Sequence, residues 1–172
     1  VAPGSGGVIF TPWLHGNRCP FEDPAAAGMF FNLRLETGKA QMLRAVLEGI
    51  CFHLRWMLEV QEKKTKTSDP IRFVGGGALS KVTCQMMADI TGRTVETVEN
   101  TKDVGAIGAA MLAAVGSGEF ASLQEAAGLV RVNGTYRPDP ANKAVYDRNF
   151  RVFRKLYAAN RENFAMLNRT EG

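Results

Sequence analysis

The chain has 172 residues, which is typical of a single domain, since domains most often contain about 100–150 residues. Hydrophobic residues make up 45% and charged residues 22%, a balance that excludes extended disorder. The net charge of +4 comes from basic residues spread along the chain, without the one-sided clustering typical of nucleic-acid-binding proteins. No run of about 20 apolar residues and no signal-peptide pattern occurs, so we expect a cytoplasmic protein with no nucleic-acid or membrane partner.

The chain begins on a stretch with the composition of a linker. Residues 1–7 (VAPGSGG) are rich in proline, glycine and serine, and no methionine precedes them. We therefore expect residues 1–172 to be one domain of a longer protein, with residues 1–7 as its linker. Three cysteines, at positions 19, 51 and 84, lack C-x-x-C spacing and are predicted to be reduced, buried thiols.

The first half of the chain predicts two strands followed by a long helix. Residues 7–13 are apolar, β-branched and aromatic, which indicates a strand, and the proline-containing residues 15–27 indicate a loop. A second strand is predicted over 28–35. From Thr37, whose hydroxyl can cap a helix, apolar residues recur at helical spacing until the lysine-rich residues 63–68.

The second half alternates between short apolar runs and helical patterns. Strands are predicted over 71–74 and 94–98, and helices over 81–91, 103–115 and 141–167. The residues between 116 and 140 read as a turn-rich connection. Strands alternating with helices favour an α/β fold with parallel crossover units.

Two charged patterns on the helices are interpreted as solvent-exposed surface. Arg44 and Glu48 lie four residues apart, so they can pair on an exposed face for a few tenths of a kcal/mol. The basic residues of the last helix are predicted to form its solvated face, opposite a row of phenylalanines: Arg148, Arg151, Arg154 and Lys155. His15 and His53 have no second ligand at metal spacing, so both are interpreted as structural.

The strongest local signal is the sequence GGGALS at residues 75–80, between a predicted strand and a predicted helix. Glycines allow the backbone to approach a ligand closely, and the following helix offers free N–H groups. These features favour a nucleotide site, but the same residues also make an ordinary strand-to-helix turn. The small residues at 105–110 indicate close helix–sheet packing, and the same helix could form a wall behind the turn.

Several segments together resemble the C-terminal domain of the FGGY family of carbohydrate kinases, and among its members the xylulokinases. The matching segments follow the family's order: residues 3–28 (PGSGGVIFTPWLHGNRCPFEDPAAAG), 28–33 (GMFFNL), 41–49 (QMLRAVLEG), 75–95 (GGGALSKVTCQMMADITGRTV) and 103–120 (DVGAIGAAMLAAVGSGEF). The resemblance implies a ribonuclease H-like, actin-like ATPase domain, with a mixed sheet flanked by helices. It also implies that the chain is the carboxy-terminal lobe of a two-lobed enzyme.

The resemblance further implies ATP and Mg²⁺ as cofactors and a ketopentose such as xylulose as the substrate. It places the nucleotide, as ATP or ADP, on the glycine turn: Gly75, Gly76, Gly77, Ala78 and, as a weaker candidate, Ser80. In this family the catalytic aspartate and the aspartate of the phosphate and metal motif lie upstream of the matching segments. The resemblance therefore implies no catalytic or metal-binding residue in this chain. The fragment alone should be inactive, with the sugar held mainly by the absent lobe.

Two residues depart from the family pattern. Asn17 stands where the family has a glutamate, and Asn32 replaces a glycine that lies near the nucleotide in relatives. Asparagine tolerates a positive φ, so we expect the backbone at Asn32 to be kept and its side chain to narrow the site. The alternatives left open are a kinase for another sugar or polyol and a non-catalytic actin-like interaction module. A homodimer is the assembly common in the family.

Overall fold

The computed structural model describes residues 1–168 and divides into two compact units. The first unit contains Val1–Thr67, Asp89–Gly92 and the chain from Asp139 onward. The second contains Ser68–Ala88 and Arg93–Pro138. Whether these units together form the single domain expected over 1–172 remains a prediction.

The first unit joins a small antiparallel sheet to two long helices. Its elements are β1 (Ile9–Thr11), β2 (Met29–Phe31), α1 (Lys39–Glu62) and α5 (Lys143–Asn168). β1 pairs antiparallel with β2, with Ile9 opposite Phe31. Both predicted strands and both predicted long helices are therefore present, although the strands are shorter than the apolar runs that predicted them.

The second unit contains a three-stranded mixed sheet. Its strands are β3 (Ile71–Arg72), β4 (Val95–Val98) and β5 (Val132–Tyr136). β4 runs parallel to β3 and antiparallel to β5, which confirms an α/β fold with a mixed sheet. Its helices are α3 (Val104–Gly116) and α4 (Leu123–Ala127), while α2 (Lys81–Thr91) begins in this unit and ends in the first.

The turn-rich interpretation of residues 116–140 is wrong, since α4 and β5 lie there. β5 has the sequence VNGTY, and all five of its residues remain exposed or only half-buried. A strand with so little buried apolar surface lacks the hydrophobic pattern that identifies strands in a sequence. Backbone pairing with the buried strand β4 determines its conformation instead.

The beginning of α1 differs from the prediction. Gly38, not Thr37, is the capping residue, and its N–H donates to Oε1 of Gln41 at 2.6 Å. The Thr37 hydroxyl accepts the N–H of Arg34 at 3.0 Å and closes the preceding turn. Gln41, three residues into the helix, thus provides the side-chain acceptor that caps the start of α1. None of the helices within residues 1–168 is both long and apolar enough to cross a membrane.

A salt bridge predicted to be exposed is buried instead. Arg44 Nε lies 2.8 Å from Glu48 Oε1, so the pairing is confirmed, but the Glu48 side chain is only 1% exposed. The same carboxylate accepts the N–H of Gly4 at 2.9 Å and the hydroxyl of Ser5 at 2.8 Å. Residues 4–7, whose composition predicts a linker, are therefore a turn fixed to α1. Burial and the neighbouring carboxylate raise the pKa of Tyr146, whose hydroxyl donates to Glu48 at 3.2 Å.

An aromatic cluster surrounds Trp13 in the first unit. Trp13 is 1% exposed, and its ring contacts four other aromatic rings: Phe21, Phe153, Tyr157 and Phe164. The indole N–H donates to Nδ1 of His53 at 3.3 Å, which confirms a structural role for this histidine. Of the three free cysteines, Cys51 and Cys84 are buried as expected, whereas Cys19 is exposed and contradicts the prediction.

We predict that His53 makes the protein less stable in mild acid. Burial lowers the pKa of His53, and a hydrogen bond to the Cys19 carbonyl only partly opposes this effect. Unfolded histidine has a pKa near ~6.5, so the unfolded chain binds more protons, and stability falls as the pH drops below that value. Urea midpoints at neutral and mildly acidic pH should therefore differ less in His53→Gln than in the wild type. His15→Gln, at an exposed histidine, should keep the wild-type pH dependence.

Candidate functional site

The predicted glycine turn connects β3 to α2 through a backbone conformation that requires glycine. Gly75 has φ +86° and ψ −167°, a conformation that residues with a side chain rarely adopt. Its N–H donates to both the carbonyl and the hydroxyl of Thr101, at 2.9 and 3.1 Å. A short 3₁₀ helix, Gly76–Leu79, follows at once. The turn is thus fixed to the segment that leads into α3.

The first two glycines of the turn leave open space beside the backbone. A Cβ atom added to Gly75 or Gly76 would meet no atom of residues 1–168 within 4 Å. A Cβ on Gly77 would lie 2.9 Å from the Phe73 ring, so packing accounts for that glycine. An open backbone at the end of a strand is the arrangement in which a flat or charged ligand can contact main-chain groups.

The last residues of the turn have structural contacts of their own. Ala78 is buried, and its carbonyl accepts the Cys84 thiol at 3.4 Å. The Ser80 hydroxyl accepts the N–H of Thr83 at 3.3 Å and so satisfies a free donor in the first turn of α2. These two residues are therefore placed to shape the turn and the helix that follows it.

A cavity of about 550 Å³ lies in the same unit, a volume within the range of small-molecule sites. It reaches Val74, the residue before Gly75, and includes Ile107 and Met111 of α3. Its wall is mainly apolar, and the charged residues that line it are Arg72, Glu99 and Arg131. The sequence did not predict this cavity, because its residues come from four separate segments. The small residues of α3 were the only available signal.

The packing interpretation of those small residues is not confirmed. A Cβ atom on Gly105 or Gly108 would meet no atom within 4 Å among the described residues. No residue of α3 is buried, although the helix is almost entirely apolar. Gly108 instead lines the cavity, as does Ala110. The small residues thus leave space beside the helix, consistent with the predicted wall near the glycine turn.

Asn32, the other predicted site residue, lies in the first unit, whereas the glycine turn lies in the second. Its φ of +64° confirms that asparagine keeps the backbone conformation expected at this position. Its Nδ2 donates to the carbonyl of Gly7 at 3.1 Å. Asn32 lines a different cavity, of about 530 Å³, together with Arg34 and Arg148. Neither arginine was singled out from the sequence as a site residue.

No group of three histidine, cysteine, aspartate or glutamate side chains in the described part of the chain could hold a metal ion. Glu22 and Asp23 of the first loop have separate environments, because Asp23 is buried and accepts the Tyr157 hydroxyl at 3.0 Å.

Comparison with known proteins identifies relatives over most of the chain. Residues 1–117 match the model of the FGGY family of carbohydrate kinases, C-terminal domain. A xylulose kinase of Bacillus subtilis is 34% identical over 160 residues, which cover 92% of this chain and 32% of that protein. The chain therefore spans about a third of the length of the curated relatives it matches.

Solved structures agree with the sequence matches. A ligand-bound xylulose kinase from Lactobacillus acidophilus superposes with a TM-score of 0.88 at 29% identity, covering 97% of this chain and 34% of that one. A gluconate kinase from the same organism gives the same TM-score, identity and coverage. These likenesses confirm the ribonuclease H-like, actin-like ATPase fold expected from the sequence.

Proposed function

Because the chain belongs to the FGGY family of carbohydrate kinases, as its C-terminal domain, we propose that it is the nucleotide-binding lobe of an ATP-dependent sugar kinase. The observation that carries this proposal is the open backbone at Gly75 and Gly76 beside an apolar cavity of about 550 Å³. A nucleotide needs such a combination, since its base is flat and apolar while its sugar and phosphates seek polar groups.

In this proposal the residues of the turn have distinct roles. Gly75 and Gly76 give the nucleotide access to the main chain, because no side chain of residues 1–168 occupies the space beside them. Gly77 and Ala78 keep the turn in shape through Phe73 and Cys84. Ser80 has an indirect role, because its hydroxyl accepts the N–H of Thr83 and so holds the start of α2 beside the turn.

The apolar cavity is proposed to receive the adenine ring. The side chains of Val74, Ile107 and Met111 would exclude water from one face of the base. Kinases of this family use ATP, and we propose that Mg²⁺ arrives with its phosphates, where it neutralises charge during transfer. We assign no catalytic base to this chain.

For the sugar, we propose a ketopentose such as xylulose, after the curated relatives named xylulose kinase. The equal likeness to a structure named gluconate kinase supports a second candidate, a kinase for another sugar. A panel of sugars offered with ATP to the longer protein, with ADP release as the measurement, distinguishes them. Xylulose as the fastest substrate supports the first candidate, and another sugar as the fastest supports the second.

We predict that Mg-ADP binds the 172-residue chain weakly and at the glycine turn. A dissociation constant near ~1 mM corresponds to only about −4 kcal/mol. In an NMR titration, saturable amide shifts should occur at Gly75 to Ser80 and at the start of α3. Absence of any saturable shift up to about 10 mM would contradict nucleotide binding by this chain.

A single methyl group tests whether the turn itself is the site. Gly76→Ala adds a Cβ that meets no atom of the described residues within 4 Å, so the fold should be kept while the methyl group obstructs a ligand on the backbone. We expect ADP affinity to fall about tenfold, a loss of ~1.4 kcal/mol. Gly116→Ala, whose Cβ is also unobstructed but lies outside the cavity, is the matched control and should bind like the wild type. Equal affinity for Gly76→Ala would place the nucleotide elsewhere.

A further inference from the structure

We propose that the cavity of about 530 Å³ in the first unit is a second binding site, selective for a phosphate group. It is formed by the turn at residues 3–7, the end of β2 with Asn32 and Arg34, and one side of α5 that includes Arg148. The glycine turn assigned to the nucleotide belongs to the other unit. This inference therefore does not rest on the proposed function.

The charge of this cavity is one-sided. Arg34 and Arg148 line it, and among residues 1–168 no aspartate or glutamate does. Within residues 1–168, neither arginine makes an ion pair, and the only side-chain hydrogen bond of Arg148 is from its Nε to the side-chain oxygen Oδ1 of Asn149 at 3.3 Å. Two guanidinium groups without carboxylate partners are suited to a phosphate, since each presents several N–H donors in a planar fork.

The turn that forms one wall has an unusual backbone. Four consecutive residues, Gly4 to Gly7, have positive φ angles of 87°, 50°, 64° and 88°. Glu48 holds the turn by accepting from Gly4 and Ser5, and Asn149 Nδ2 donates to the Gly4 carbonyl at 3.1 Å. A conformation of this kind persists only where its surroundings hold it in place. The wall is thus fixed before any ligand arrives.

This wall also offers a neutral donor. Gly6 is exposed and lines the cavity, and its N–H makes no hydrogen bond within the described residues. The Asn32 amide lies at the same cavity and donates to the Gly7 carbonyl. Glu48 lies behind the turn, but Arg44 neutralises its charge at 2.8 Å. Among the described residues, the cavity therefore combines two cations that lack a carboxylate partner with main-chain and amide donors, which is the chemistry that binds phosphate.

A free phosphate ion and the phosphate group of a larger molecule share this chemistry. The volume exceeds what a single phosphate ion fills, so the organic part of a phosphate monoester has room beside it. Inorganic phosphate, ribose 5-phosphate and ADP serve as three probes in separate titrations. Tighter binding of ribose 5-phosphate than of inorganic phosphate identifies a sugar phosphate as the ligand, whereas tightest binding of ADP identifies the phosphates of a nucleotide.

The test is an NMR titration of the 172-residue chain with inorganic phosphate, at constant ionic strength balanced with chloride. We expect saturable shifts at the amides of Gly6, Gly7 and Asn32. Arg148→Gln and Arg34→Gln should each weaken phosphate binding about fivefold or more, because each removes one charged donor. Arg151→Gln removes the same charge from α5 outside the cavity and should leave the affinity within about twofold.

Two results would overturn the proposal. One is the absence of saturable shifts at the three amides with all three probes. The other is an equal loss of affinity in Arg151→Gln and Arg148→Gln, which would mean that phosphate responds only to the overall charge of the chain. ADP shifts at Gly75 and Gly76 without shifts at Gly6 would leave the proposed function standing while contradicting a nucleotide in this second cavity.

Discussion

Glu48→Ala should lower the free energy of unfolding by about 3–5 kcal/mol, the range measured when one partner of a buried ion pair is removed. The Glu48 carboxylate is 1% exposed and accepts four hydrogen bonds, from Gly4, Ser5, Arg44 and Tyr146. Without it, three neutral donors and one guanidinium lose their acceptor, and each unsatisfied buried donor costs about 1–3 kcal/mol. Urea unfolding followed by circular dichroism measures the loss.

A second substitution at Glu48 separates the effect of its charge from the effect of its size, and an exposed glutamate provides the control. Glu48→Gln keeps the shape but removes the charge, so we expect a smaller loss of about 1.5–3 kcal/mol, the contribution of a charged hydrogen bond. Glu36→Ala removes an exposed glutamate that has no partner among the described residues, so stability should change by less than ~0.5 kcal/mol. A loss below about 1 kcal/mol in Glu48→Ala would show that this carboxylate does not anchor the turn at residues 4–7.

Gly49→Ala is the second substitution with a large expected effect. A Cβ at Gly49 would lie 2.2 Å from the carbonyl oxygen of Phe10 and 3.0 Å from its carbonyl carbon. Because these are backbone atoms of β1, neither can rotate away, and α1 must move from the strand. Overpacking of this kind costs about 1–3 kcal/mol and sometimes more, and we expect the upper end of that range.

The matched control is the same substitution at an open position. In Gly108→Ala the added Cβ meets no atom of the described chain within 4 Å, and alanine is favoured over glycine in a helix interior by about 0.5–1 kcal/mol. Gly108→Ala should therefore raise the urea midpoint while Gly49→Ala lowers it. If Gly49→Ala raised the urea midpoint as Gly108→Ala does, the close contact between Gly49 and Phe10 would not exclude a side chain at position 49.

The local pattern of the sequence predicted the order of most elements. The two long helices were found because their apolar residues repeat at helical spacing, and the glycine turn because three glycines follow a short apolar strand. The family followed from ordered segments that each carry several specific residues. β5 and α4 were missed because strand pairing, not an apolar pattern, determines one of them, and because the other is only five residues long.

The environment of individual side chains was not available from local patterns. The spacing of Arg44 and Glu48 predicted their pairing but placed it in solvent, whereas the turn at residues 4–7 covers the carboxylate. Arg148 is exposed, as the interpretation as solvated surface predicted, but the helical pattern did not show that it lines a cavity with residues more than a hundred positions away. Burial depends on what the rest of the chain places nearby, and a helical pattern contains no information about that.

The sequence by itself thus determined the fold class and the family, and it predicted which segment binds a nucleotide. These depend on short-range features, namely periodicity, glycine content and the order of specific residues along the chain. The tertiary structure alone decided that Gly75 and Gly76 are open while Gly77 is packed, and that Glu48 is buried. The reason is physical: openness and burial depend on distances between segments far apart in the chain, which only the folded backbone determines.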